Sequence, residues 1–416
     1  MQELEKKTAV TNFEDSKEFI AFNERVSGLS VSVEKYGNPY FVAHDSPLRD
    51  KSNMAGKEVI NFGSYNYLCM SGDPEVNEAA KEALYKYGTS ASGSRLLAGE
   101  KTLHKDLEKA IANWKHTEDA IVLVGGHSTN VTFVGNFCNE NDLIIYDVII
   151  HNSITEGLKM SKAKSKRFPH NDFERLERIV RKNRDFYEKI LIVVEGAYSM
   201  DGDVAPVDEY VRIKKEYGCF LMVDEAHSAT VIGEHGGGVD EYYGLAPDDI
   251  DIKMGTLSKG LGTCGGYLAG SRNLIDYLRY NLPGFVFSVG ISPVLAAATL
   301  KAVEIIQRDN TRVQKLHHNI NFFLSEAKRR GFDTMIAKDT AITPILIGSD
   351  EDAFRLSMIM QEDGVFVPPA VYPAVPKGKA RLRYCLNSMH TEEEIIYALD
   401  LLERKIDEIG IEVCKK

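Results

Sequence analysis

Between residues 120 and 270 the chain returns again and again to short apolar runs. They are AIVLV (120–124), LIIY (143–146), ILIVVEG (190–196), CFLMVD (219–224) and GYLAG (266–270). A strand with one wet face alternates apolar and polar residues, whereas a strand covered on both faces is apolar throughout. Helical stretches separate the runs, which predicts a largely parallel sheet with helices on both sides. Ligands of such sheets gather at the carboxyl ends of the strands. Functional residues are therefore expected just after the apolar runs.

The flanks read differently. The first sixty residues are polar and weakly periodic, an arm leading into the short strand EVINFGS. Segment 74–87 carries Val76, Ala79, Ala80, Ala83, Leu84 and Tyr87 on one helical stripe, with Pro74 at its start. Beyond about 300 a long helical stretch leads to ITPILIG (342–348), a helix at 350–363 and the strand ARLRYCLNS (380–388). Thr391 and Glu394 then have the spacing of a capping box. The expected organisation is an arm (1–60), a large α/β domain (61–295) and a small C-terminal α+β domain (296–416).

Composition removes several function classes. With 50 Lys+Arg against 61 Asp+Glu, the formal net charge is −11. General nucleic-acid binding needs a basic footprint and is not expected. The charged start MQELEKKTAVTNFEDSKEF lacks the apolar core of a signal peptide, and no apolar run is long enough to span a bilayer. Six scattered cysteines (69, 138, 219, 264, 385 and 414) form no CxxC pair, so a reducing cytoplasm and no metal site are expected.

Most of the candidate residues do follow the runs. Asp224 and His227 lie in VDEAH (223–227); an ionised carboxylate at a buried strand end needs a partner, though it equally well caps the next turn. Lys259 sits among small residues in MGTLSKGLGTCGGYLAG (254–270), where partial desolvation turns a lysine into an amine nucleophile. A literal GxGxxG at Gly260, Gly262 and Gly265 is a decoy. A strand follows it where a dinucleotide site needs a helix, and no acid stands about 20 residues on. VGGHSTN (124–130) places glycines before a helix, where backbone amides suit a phosphate. EGAYSMDGDVAP (195–206) offers Ser199, and HNS (151–153) offers His151. A phosphate cradle, a strand-end Asp and a lysine together suit pyridoxal 5′-phosphate (PLP), whose ring nitrogen needs a carboxylate and whose aldehyde needs an amine.

Through SYNYL, SGSRLLAGEKTLHKDLE, EGAYSMDGD, VDEAHS, GTLSKGLGTCGGY and ARLRYCLNSMHT the sequence resembles the α-oxoamine synthases, fold-type-I PLP-dependent transferases. GGHSTNVTFVG, IIHNSI, FPHND, PGFVFSVGISP and VYPAVP are similar to modules found with polyketide assembly lines. The resemblance implies decarboxylative condensation of an amino acid with an acyl thioester of coenzyme A or an acyl carrier protein, giving an α-amino ketone. It makes Lys259 the lysine that bonds the cofactor aldehyde and later moves the α-proton. Asp224 would pair with the ring nitrogen, His227 would contact the phenolic oxygen, and His151 would stack on the ring. Thr256, Ser258 and the amides of Gly126 and His127 would bind the phosphate, with Ser199 nearby. Arg383 would bind the amino-acid carboxylate, beside Tyr65. Ser288 would complete the phosphate site of a neighbouring subunit, which implies a homodimer.

The chain departs from the family pattern in three places. GGG at 236–238 lacks an arginine, Tyr65 stands where biotin-pathway members carry Asn, and His127 stands where an aromatic is frequent. The shared cofactor residues also suit an aminotransferase or a decarboxylase, and some family heterodimers contain a non-catalytic partner subunit. KMSKAKSKR (159–167) carries five basic residues and no acid. It reads as a solvated charged face, or as a dock for an acidic carrier or for coenzyme A phosphates.

Overall fold

A computed structural model describes residues 9–413. Cys414 lies outside the described residues, and the other five cysteines are unpaired. Seven strands form the main sheet. In spatial order they are Asp119–Leu123, Gly266–Gly270, Ile252–Thr256, Phe220–Asp224, Ile190–Glu195, Leu143–Asp147 and Lys164–Phe168. All run parallel except Gly266–Gly270, which is antiparallel to both its neighbours. Successive residues of one strand feed opposite cores: Ile190, Ile192 and Val194 one layer, Leu191 and Val193 the other. Two covered faces are the physical reason these strands are apolar throughout.

Two strands escaped the hydropathy pattern, for opposite reasons. Ile252–Thr256 is a core strand interrupted by Lys253, whose side chain is fully buried. Lys164–Phe168 is the sheet edge, with only Phe168 buried. The basic run KMSKAKSKR therefore spans a helix end and an edge strand. Lys159 pairs with Glu156 at 2.7 Å, and Lys166 donates to Asn183 Oδ1 at 2.6 Å. Exposed lysines on an edge strand discourage pairing with another chain.

Toward the C-terminus, Ile342–Gly348, Ala380–Cys385 and Pro369–Ala370 form a second, antiparallel sheet. Helices Asp350–Glu362 and Glu392–Ile409 accompany it, the latter opened by the expected Thr391–Glu394 capping box. A third small sheet joins Lys51–Met54 and Lys57–Asn61 to Val365–Phe366. The polar N-terminal segment also contains helix Lys17–Tyr36, capped by Ser16 and tied to the C-terminal layer through Lys35 and Tyr36 on Glu351. Its mostly exposed surface carries little of the periodicity by which helices are read.

A buried ion cluster underpins the turn after Phe220–Asp224. Lys115 and Lys253, both fully buried, face Glu225 and Asp240: Lys115 is 2.7 Å from Glu225 and 3.2 Å from Asp240, and Lys253 is 2.8 Å from Asp240. Lys115 also donates to the carbonyl of Gly237, within the GGG run. Gly238 has φ +100, and a Cβ there would collide with Glu225 and Lys115. Two cations thus neutralise two carboxylates beside the place where the family pattern has an arginine. Burial opposes the charge on Lys115, but the Glu225 and Asp240 carboxylates outweigh it and raise its pKa.

Lys115→Met would strand a buried carboxylate at a cost of about 3–5 kcal/mol, and Lys115→Met with Glu225→Gln should restore much of it. Denaturant midpoints of the two variants check this; equal losses in both would contradict it.

Candidate active site

Asp224 is the last residue of its strand and is 3 % exposed. Its Oδ2 accepts from Asn130 Nδ2 at 2.7 Å and its Oδ1 from the Ala226 N–H at 2.9 Å. Asn130 also donates to Ser153 Oγ at 2.9 Å, and Ser153 Oγ lies 2.7 Å from His151 Nδ1. A single polar chain therefore runs His151–Ser153–Asn130–Asp224. The sequence reading named its two ends and missed Asn130 and Ser153. Their signal was available: Asn130 lies one helical turn after Gly126 in VGGHSTN, Ser153 two residues after His151, and a buried carboxylate requires donors.

His227, three residues after Asp224, is also buried. Its Nδ1 lies 2.7 Å from the Tyr67 hydroxyl, which leaves Nε2 as the other ring nitrogen. Burial, reinforced by the charges of Lys259 and Arg383, lowers His227 well below the usual histidine range, and burial lowers His151 too. Both rings are neutral near pH 7. Tyr67, a fully buried residue of SYNYL, was a second omission.

Lys259 follows strand Ile252–Thr256 by three residues. Burial lowers it from 10.5 to about 8, against the opposing pull of the Asp224 and Glu195 carboxylates. Its Nζ lies 5.8 Å from the centre of the Tyr65 ring, and Arg383 Cζ lies 5.0 Å from the same ring. Tyr65 thus faces two cations, a favourable arrangement for an aromatic face. Arg383 is buried; its Nε donates to the Ser199 carbonyl at 2.7 Å and its Nη1 lies 3.3 Å from Cys385 Sγ. Ser199 engages Arg383 through its backbone oxygen.

Gly126 opens helix Gly126–Phe137, and the N-cap Gly125 offers no side-chain cap. The first N–H groups of the helix therefore have no intrahelical acceptor. Thr256 packs directly over Gly126: a Cβ added to Gly126 would stand 2.7 Å from Thr256 Oγ1. Thr256 Oγ1 and Ser258 Oγ are 3.2 Å apart, and the His127 and His151 rings meet edge to face at 6.3 Å. Amides, two hydroxyls, a buried anion with neutral donors and an amine near pKa 8 are the donor set that PLP requires.

Ser288 stands apart. It lies in the loop after helix Pro283–Val286 with Oγ donating to Val289 O at 3.3 Å, and Val289 bridges to Ser94. Its neighbour Phe287 is 88 % exposed. The motif around Ser94 serves packing: Arg95 joins Glu100 and Glu108 at 2.7 and 2.5 Å, and Glu108 accepts the Val122 N–H. The GxGxxG glycines pack closely as well, Gly260 on Thr230 and Gly262 on Ser71, and strand Gly266–Gly270 follows as expected. A cavity of about 780 Å³ lined by Phe137, Phe220 and Leu274 opens at the other end of the sheet, away from these residues.

The chain is similar to known proteins over most of its length. The family model for class I and II aminotransferases matches residues 57–402. The 8-amino-7-oxononanoate synthase of Fervidobacterium nodosum is 40 % identical over 352 residues, covering 84 % of this chain and 89 % of that protein. The enzyme of that name from Bacillus subtilis (numbered 1) is 37 % identical, covering 85 % and 90 %. The solved serine palmitoyltransferase of Sphingomonas wittichii superposes with a TM-score of 0.89 at 30 % identity, over 96 % of this chain and all of that one. The chain belongs to the α-oxoamine synthases, fold-type-I PLP-dependent acyltransferases that condense an amino acid with an acyl thioester and release carbon dioxide.

Proposed function

We propose that Lys259, Asp224, His227, His151 and Arg383 carry this condensation, with the phosphate of the cofactor held by the Gly126 and His127 amides and the Thr256 and Ser258 hydroxyls. The observation that carries the reading is a lysine lowered to about 8 in the same cleft as a buried aspartate and a buried arginine. When bound, PLP supplies an electron-poor ring that takes up the negative charge left at the α-carbon. The rest falls to the chain. Burial lowers the Lys259 amine to about 8, so it gives up its proton more readily than an ordinary lysine and would be able to take the α-proton. The Asn130 and Ala226 donors orient the Asp224 carboxylate, which would pair with the ring nitrogen of bound PLP and favour its protonated form. Neutral His227, steadied by Tyr67, would offer Nε2 to the phenolic oxygen of the cofactor. With Nε committed to Ser199, Arg383 presents its remaining N–H groups to the amino-acid carboxylate, and Tyr65 shields that pair.

The working form is a homodimer in the cytoplasm. Phe287 is exposed beside Ser288, which would complete the phosphate site of a second copy. Among the described residues no helix is long and apolar enough to cross a membrane.

Lys259→Ala should lower release of free thiol from an acyl thioester by roughly 10²–10⁴-fold and abolish borohydride-trapped cofactor. Retained turnover with a trapped adduct would remove the assignment. In the unmodified enzyme, capture of added PLP should speed up as pH rises through about 8, the direction in which Lys259 loses its proton. Arg383→Lys should raise KM for the amino acid about 10–100-fold, the equivalent of a charged hydrogen bond of roughly 1.5–3 kcal/mol, with KM for the acyl donor unchanged. Running both assays over a panel of amino acids and acyl donors identifies the substrates. Phe287→Glu should halve the mass seen by light scattering; an unchanged mass would move the subunit contact elsewhere.

A further inference from the structure

The segment FPHND takes no part in the cleft, yet it lies one step behind Arg383. Strand Lys164–Phe168 ends at a buried phenylalanine, and Pro169 then delivers His170 between two carboxylates. His170 Nδ1 is 3.2 Å from both oxygens of Asp147, and Nε2 is 3.0 Å from Asp203 Oδ2. Carboxylates only accept, so both ring nitrogens donate and the ring is an imidazolium. Burial disfavours that charge, but Asp147 and Asp203 overcome it and raise His170 to about 10. The Tyr198 ring stands edge-on at 4.5 Å, and Asn171, held by the Tyr210 hydroxyl, also donates to Asp203 at 2.7 Å.

Asp203 closes the loop that contains Ser199. The Tyr198 N–H donates to the Asp203 carbonyl and the Gly202 N–H to the Tyr198 carbonyl, both at 3.0 Å. Between them the Ser199 carbonyl receives Arg383 Nε. The far side of this loop is fastened to the C-terminal layer: Arg381 reaches the Met200 carbonyl and Asp201, and Thr340 reaches the Gly202 carbonyl. His170 is the matching clamp on the main-sheet side.

We propose that His170 is a positioning residue for amino-acid binding: wedged between Asp147 and Asp203, its charged ring sets the Ser199 carbonyl and through it the Arg383 guanidinium. This rests on the reading of Arg383 as the carboxylate ligand. Loss of the clamp leaves the cofactor contacts in place and misaims one guanidinium.

The test is steady-state kinetics of holoenzyme carrying His170→Gln, with Arg383→Lys in parallel. His170→Gln should raise KM for the amino acid by roughly tenfold to a hundredfold, as a displacement of about 1 Å does. KM for the acyl donor should stay within about twofold and the visible spectrum of the lysine-bound cofactor should be unchanged. Asp203→Asn weakens the same bridge from the loop side and should show the same split; it decides the matter if His170→Gln does not fold. An unchanged amino-acid KM, or an equal rise in both KM values with loss of the cofactor spectrum, overturns the proposal. If Arg383→Lys itself leaves the amino-acid KM unchanged, the Arg383 reading fails and this one with it. A response to Arg383→Lys alone overturns only the role of His170.

Discussion

The structure turns on one buried charge. The Asp224 carboxylate ends a central strand out of contact with water, where an ionised group is costly unless donors meet it. Asn130 and the Ala226 amide are those donors, and both are neutral, so the negative charge is held without being cancelled. A salt bridge at the same place would spend the charge on a structural cation. Here the field of Asp224 reaches into the cleft, where it opposes the desolvation of Lys259. The helix after Asp119–Leu123 carries Gly126 and Asn130 one turn apart, so the element that offers amides to a phosphate also supports the aspartate.

Three carboxylates end three adjacent parallel strands, and the fold treats each differently. Asp147 is matched by the His170 imidazolium. Glu195, in register beside Asp224, is pushed well above the usual carboxylate range by burial and by its charged neighbour. Repulsion between neighbouring carboxylates in a low-dielectric layer is part of what raises Glu195.

Behind the site, charge is balanced a second time. Glu225 follows Asp224 directly and anchors the turn that carries His227, with its carboxylate against Lys115 and the Val239 N–H. Lys115 arrives from the end of helix Thr102–Trp114 and Lys253 from the strand beside Phe220–Asp224. Together they supply positive charge where GGG lacks the arginine of the family pattern. Gly238 leaves the space in which Glu225 and Lys115 meet, and the turn keeps its anchor.

Much of this was legible in order along the chain. Five apolar runs identified a sheet covered on both faces, and their carboxyl ends located Asp224, His227, His151 and Gly126, because burial on two faces concentrates polar side chains at strand ends; Lys259 was found from its small neighbours instead. The run interrupted by Lys253 and the exposed edge strand at Lys164 were not legible, since hydropathy records neither a buried ion pair nor an edge. Asn130, Ser153, Tyr67 and His170 stayed silent for a related reason: each is defined by a partner 23 to 160 residues away, a distance only the tertiary structure closes. The sequence by itself determined the cofactor chemistry, because the lysine, the aspartate and the glycine-led helix are each announced by residue type and local pattern. Only the tertiary structure decided which donors meet the Asp224 carboxylate and how far the Lys259 amine is lowered, because desolvation and the field of neighbouring groups exist only once distant segments are packed together.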